Sequence, residues 1–241
     1  MNPTGATRDT GAIAERLTSV RERIALAAAR ADRDPASVRL VLAAKTQSPA
    51  AIRAAYLAEA RDFGENYVQE AVGKRAALAD LAGIRWHLIG HLQTNKAAVA
   101  ARCFDLIQTL DSERLANSLA RARPSPPMPV LIEVNLGTEA SKTGVAPERA
   151  EGLIEAVREQ TAVLGLMAIP PARPPGADSR AAHGYFARLR ELRDRLAATT
   201  GLALSELSMG MTDDFEIAIA EGATILRIGR AIFGARAHGP R

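Results

Sequence analysis

The chain reads as an α/β protein folded as a single-domain (β/α)8 TIM barrel, and three observations predict it. Eight short apolar or β-branched runs alternate with amphipathic helical stretches along the sequence, and strict alternation of that kind implies a parallel sheet. The length of 241 residues suits such a barrel as one domain. Polar and charged residues gather where the runs end, the side on which this fold carries its sites. A doubly wound open sheet is the competing architecture.

Residues 1–10, "MNPTGATRDT", are polar and are expected as a flexible tail, with 11–241 forming the domain. An extra helix over 11–31 precedes the first strand. That strand is 38–44, "VRLVLAA", apolar on both faces as a buried parallel strand should be. The others are expected at 61–64 (RDFG), 84–90 (IRWHLIG), 106–110 (LIQTL), 130–135 (VLIEVN), 163–169 (VLGLMAI), 204–209 (LSELSM) and 224–228 (TILRI). The run at 61–64 carries the weakest signal, being short and polar at its start. Trp86 and His87 must face opposite sides of their strand, and His87 is the one expected to look into the barrel.

Helical patterns fill the gaps at 50–60, 67–81, 95–102, 112–122, 147–160, 179–199 and 213–221. In the sixth, Phe186, Leu189, Leu192 and Leu196 form one stripe, while the arginines around them alternate with Glu191 and Asp194 as a solvated face. Two proline-rich segments, "RPSPPMP" (123–129) and "PPARPPG" (170–176), read as loops.

Composition narrows the function. Thirty-one basic against 27 acidic residues leave a net charge of +4, spread rather than blocked. Neither a nucleic-acid arm nor a membrane-binding patch is predicted. A single cysteine, Cys103, excludes an internal disulfide and a cysteine-only metal cluster. With no signal-peptide pattern and no membrane-span pattern, the expected location is cytoplasmic. "HLIGH" sets His87 and His91 at the spacing of two helical zinc ligands. It sits in a strand pattern, however, Gly90 interrupts any helix, and no metal is expected.

The strand ends bring together Lys45, Glu65–Asn66, His87 with Gly90–His91, Asp111, Asn135, Ser208–Met209–Gly210 and Arg227–Gly229. Asp111, Asn135 and Glu133 carry no assignment from the sequence. After strands seven and eight, "LSMGMTDD" and "LRIGRAIFG" turn through glycines into helix starts, where exposed N–H groups favour phosphate. Lys45 ends an apolar strand, and partial desolvation lowers the pKa of a lysine and frees its amine to attack an aldehyde. A phosphorylated aldehyde meets both demands, and pyridoxal phosphate is one. Arg227 would face its pyridine nitrogen, and a guanidinium cannot accept the ring's proton, so the ring would be a poor electron sink.

At these residues the chain resembles the YggS/PROSC family, the pyridoxal phosphate homeostasis proteins. The likeness rests on "LVLAAKT", "FGENYVQEAVGK", "WHLIGHLQTNK", "LIEVNLGTEASKTGV", "GLMAIPP", "LSMGMTDDFEIAI" and "LRIGRAIFG", from about residue 38 to 234. It implies a fold-type III barrel like the alanine racemase N-terminal domain, with pyridoxal 5'-phosphate on Lys45 as a Schiff base. It implies a pocket of Asn66, His87, Ser208, Arg227 and Gly229, with Met209 and Gly210 in the phosphate loop and the Arg230 N–H on the phosphate. The function implied is vitamin B6 homeostasis without robust catalysis, with pyridoxal-phosphate-dependent apoenzymes as possible recipients. An amino-acid racemase is the alternative, but it needs a second base from a further domain for which the chain after strand eight has no room. Tyr67 and His87 are the bases that could stand in. Two departures matter: Gln47 stands where relatives often carry a second lysine, and "ARAHGPR" holds none. Lys142 is then the candidate for handing the cofactor on. A monomer is expected.

Overall fold

The computed structural model describes residues 3–137, 143–171 and 179–234, with the side chains of 3–10 and 179–180 outside the description. Eight parallel strands close a barrel in sequence order. They are β1 (Arg39–Ala43), β2 (Asp62–Glu65), β3 (Arg85–Leu88), β4 (Leu106–Leu110), β5 (Met128–Glu133), β6 (Thr161–Met167), β7 (Glu206–Ser208) and β8 (Ile225–Ile228). The weakly signalled β2 takes its full place, with Phe63 paired to Leu42 on one side and to Trp86 on the other. One boundary is corrected: Met128 and Pro129, read as loop, open β5. A proline at the start of a strand forfeits little of the ladder.

Helices surround the sheet: α1 (Pro3–Arg30), α2 (Pro49–Leu57), α3 (Val68–Ala77), α4 (Ala97–Cys103), α5 (Glu113–Ala122), α6 (Ala150–Val157), α7 (Ser179–Thr200), α8 (Phe215–Ala220) and α9 (Arg230–Phe233). The first runs back to Pro3, well before the start expected at residue 11. Gly11 does not stop it, since one glycine inside a helix costs only about 1 kcal/mol. Ile13, Leu17, Val20, Ile24 and Ala28 make its buried stripe, spaced by threes and fours. α9 is a single turn after β8, so α1 completes the ring, packing on α2, α8 and α9.

Two apolar layers hold the barrel. The larger lies between sheet and helices and includes Phe63 and Trp86, whose ring centroids are 6.0 Å apart. The smaller, Val41, Leu106, Leu131, Met167 and Ile225, fills the interior. Among the described residues no helix is long and apolar enough to cross a membrane.

Candidate functional site

Lys45 lies two residues past the end of the apolar strand β1, and both of its neighbours are pinned. The Ala44 N–H donates to the Gly64 carbonyl at 2.8 Å, which continues the β1–β2 ladder past the strand's end. The Ala44 carbonyl accepts from Lys74 Nζ at 2.8 Å. On the other side, the Thr46 N–H donates to Glu70 Oε2 at 3.1 Å. Thr46 has φ +65°, a left-handed turn that side chains rarely adopt without support. Ser48 then caps α2 by accepting from the Ala51 N–H at 3.2 Å, with Pro49 in the first turn. The chain on each side of Lys45 is therefore fixed by named bonds.

Lys74 is itself buried and pairs with Glu65 Oε1 at 2.7 Å and Glu70 Oε2 at 3.3 Å. Burial pushes the Glu65 carboxyl upward, and the bond from Lys74 opposes that rise.

Beyond Lys45 lies a cavity of about 310 Å³. Ala43, Lys45, Asn66 and Ile89 line it from the first three strands. Met211, Thr212 and Asp213 enter from the loop after β7, and Arg227, Gly229 and Arg230 from β8 and its sequel. Ile169 covers one side. The residues bridging β8 and β1 approach closely: a Cβ on Gly229 would lie 3.0 Å from the Ala43 carbonyl oxygen. Gly210 makes the preceding turn at φ +92°, where a Cβ would meet that of Ala218 at 2.6 Å. Its carbonyl accepts from the Arg227 N–H at 3.0 Å. At the start of α9 the first backbone N–H groups have no partner within the helix. Arg230 points its side chain to Asp213.

Arg227 enters the cavity from below. Its guanidinium is buried, with NH1 donating to Ser208 Oγ at 2.6 Å and NH2 to the Ala168 carbonyl at 2.9 Å. Burial lowers its pKa to about 10, against the pull of Glu133 and Asp214, so it is a cation at neutral pH.

Of the residues the sequence points to, Lys45, Asn66, Arg227, Gly229 and Arg230 stand together in the cavity wall. His87, Ser208, Met209 and Gly210 do not line it. His87 does look inward while Trp86 packs against the helices, but it sits one layer deeper, bonded to Gln108 and Asp62. Ser208 reaches the cavity only through Arg227. Met209 is part of the sheet–helix core, because the residue after Ser208 points to the other face. Lys142 lies outside the described residues.

His91 stands in the loop after β3 and faces Asp111, its Nδ1 3.4 Å from Oδ2, so it shares no centre with His87. Asn135 Oδ1 accepts from the Gly137 N–H at 3.0 Å, bracing its own loop. Glu133 is buried beneath, accepts from Thr143 Oγ1 at 2.6 Å, and is pushed up by that burial. Sequence reasoning missed Lys74, Glu70 and Gln108. The i,i+4 spacing of Glu70 and Lys74 was the one available signal, and it did not reveal that both bear on Lys45.

Comparison with known proteins bears on the family and the fold. The alanine racemase N-terminal domain family matches residues 16–237. A curated relative, the pyridoxal phosphate homeostasis protein of Pseudomonas aeruginosa, is 49% identical over 231 residues, covering 94% of this chain and 97% of that one. The solved structure of PipY from Synechococcus elongatus PCC7942, with PLP bound, superposes with a TM-score of 0.80 at 38% identity over 92% of this chain and all of that one. Alanine racemase from Corynebacterium glutamicum shares the fold, with a TM-score of 0.68 at 17% identity over 92% of this chain and 60% of that one.

Proposed function

This chain belongs to the alanine racemase N-terminal domain family and, within it, to the pyridoxal phosphate homeostasis proteins, and from that premise we propose that it holds pyridoxal phosphate on Lys45 without turning over a substrate of its own. The observation that carries the reading is one cavity lined by Lys45, by the Gly229–Arg230 turn that opens α9 and by the buried Arg227. These groups fit the cofactor. The Gly229–Arg230 backbone and the Thr212 hydroxyl suit its phosphate, and the absence of a Cβ at Gly229 lets that backbone close on Ala43.

Pyridoxal phosphate supplies an aldehyde carbon that an amine can attack with loss of water, and a ring that can accept electrons when its nitrogen is protonated. The chain's residues do the rest. Lys74 and Glu70 fix the backbone on both sides of Lys45, and Ile89 and Ile169 give the cavity an apolar wall. Arg227 only donates hydrogen bonds, so it favours an unprotonated ring nitrogen and disfavours carbanion chemistry. Met209 and Gly210 contribute through the turn that sets Arg227.

The racemase alternative needs a second base. Tyr67 is 59% exposed and belongs to a neighbouring groove. His87 is buried with both ring nitrogens engaged. The reading is completed by a cytoplasmic, monomeric protein that releases the cofactor to apoenzymes, with Lys142 the candidate for the handover. The test compares the parent with Lys45→Ala. The variant is expected to fold and to lose covalently held cofactor, and the loaded parent is expected to leave L-alanine unracemised. A variant that keeps the parent's absorbance, or a parent that racemises alanine, overturns the corresponding part.

A further inference from the structure

A line of side-chain hydrogen bonds crosses the barrel beneath the cavity. Arg227 NH1 donates to Ser208 Oγ at 2.6 Å, and Ser208 Oγ donates to Gln108 Oε1 at 2.6 Å. Gln108 Nε2 meets His87 Nδ1 at 3.1 Å, and His87 Nε2 meets Asp62 Oδ1 at 2.9 Å. At the far end Arg85 grips Asp62, with Nε 2.7 Å from Oδ1 and NH2 2.5 Å from Oδ2. Every member from Asp62 to Arg227 is buried.

The two ends set the direction of the whole line. A guanidinium only donates. Asp62 only accepts: burial raises its carboxyl, but the bonds from Arg85 and His87 outweigh that and hold it at about 2. Ser208 therefore accepts from Arg227 and donates its own O–H to Gln108. Gln108 must turn its carbonyl to Ser208 and its amide to His87. His87 then accepts at Nδ1 and carries its proton on Nε2, toward Asp62. Turning Gln108 over would set its carbonyl against Nδ1 and require a second proton on the ring. Aligned bonds of this kind polarise one another in a dry interior, so the negative end of each dipole faces Arg227.

We propose that Gln108, His87 and Asp62 are positioning residues for Arg227. They act through Ser208 to hold NH1, while the Ala168 carbonyl holds NH2, so the plane of the guanidinium beneath the cavity is fixed at two points. Their role toward the cofactor rests on the function proposed above; the line itself does not.

Two measurements test it. The first is the tautomer of His87 in the unliganded full chain, read from nitrogen–proton NMR correlations. The parent is expected to carry the proton on Nε2 alone. In Gln108→Glu two acceptors face the ring, and both nitrogens should be protonated at neutral pH. A parent protonated on Nδ1, or a ring unchanged in Gln108→Glu, would overturn the line. The second is titration with pyridoxal phosphate. Gln108→Met should bind about fivefold to tenfold more weakly, as expected for one lost buried hydrogen bond, and should shift the pH profile of the bound absorbance. Parent-like affinity and profile in that variant would overturn the positioning role. Should Gln108→Met fail to fold, Ser208→Ala breaks the same line nearer Arg227 and is read the same way. A parent that binds no cofactor defeats the proposed function, and the tautomer still decides the line.

Discussion

Lys74 reaches from α3 to the carbonyl of Ala44, 2.8 Å away, and so grips the backbone one residue before Lys45. Its i−4 neighbour Glu70 accepts from Thr46, one residue after it. Two side chains of one helix therefore bracket Lys45, and Glu65 balances the buried charge. A helix with ordinary amphipathic spacing thus doubles as the support of the site.

Lys74→Met is expected to cost about 3–5 kcal/mol, because it strands the Glu65 carboxylate in the interior. Adding Glu65→Met should recover most of that loss, since an apolar pair can replace a buried ion pair. Cofactor binding should stay weaker than the parent's in both, as the Ala44 carbonyl has lost its donor. Thermal unfolding and cofactor titration of the two variants separate the effects; full recovery of binding in the double variant would show that Lys74 serves stability alone.

Gly229→Ala places a Cβ 3.0 Å from the Ala43 carbonyl and 3.3 Å from its Cβ. The oxygen belongs to backbone, so the ends of β1 and β8 must part, at about 1–3 kcal/mol. Cofactor affinity should fall with it. Gly73→Ala is the contrast: nothing lies within 4 Å of that position inside α3, and the change should stabilise by up to about 1 kcal/mol. Equal outcomes for the two variants would contradict the close approach.

Asp62 sets an acid limit. Its folded pKa, about 2, lies below the ordinary 3.8, so its contribution is present above about pH 4 and disappears as the pH falls through about 2. The size is on the order of 1–2 kcal/mol, reduced because the Arg85 side chain is 57% exposed to screening water. Acid unfolding of the parent and Asp62→Asn, followed by circular dichroism, should differ most above pH 4 and converge near pH 2. Parallel curves throughout would contradict the assignment.

The barrel was legible because its signals are local. Apolar runs such as "LVLAA" end where polar residues begin, and the helical stripes alternate with them in order. The cavity wall was legible for the same reason, since Lys45, Asn66, Arg227 and Gly229 each sit at or just past a strand end. Depth was not. The phase of a strand says that His87 faces inward, but not that it lies a layer below the cavity, for that depends on the stagger of neighbouring strands. The bond from Ser208 to Gln108 joins residues a hundred positions apart, and no spacing rule reaches so far. The start of α1 was missed because a polar segment with a glycine reads as a tail, whereas helix propensity allows it.

The most direct test of the central claim is borohydride reduction of the purified, cofactor-loaded protein followed by peptide mass mapping. The account predicts that the reduced pyridoxyl phosphate adduct is found on the peptide carrying Lys45. An adduct confined to another lysine, or a protein that stays colourless and unlabelled after pyridoxal phosphate is added, would contradict it.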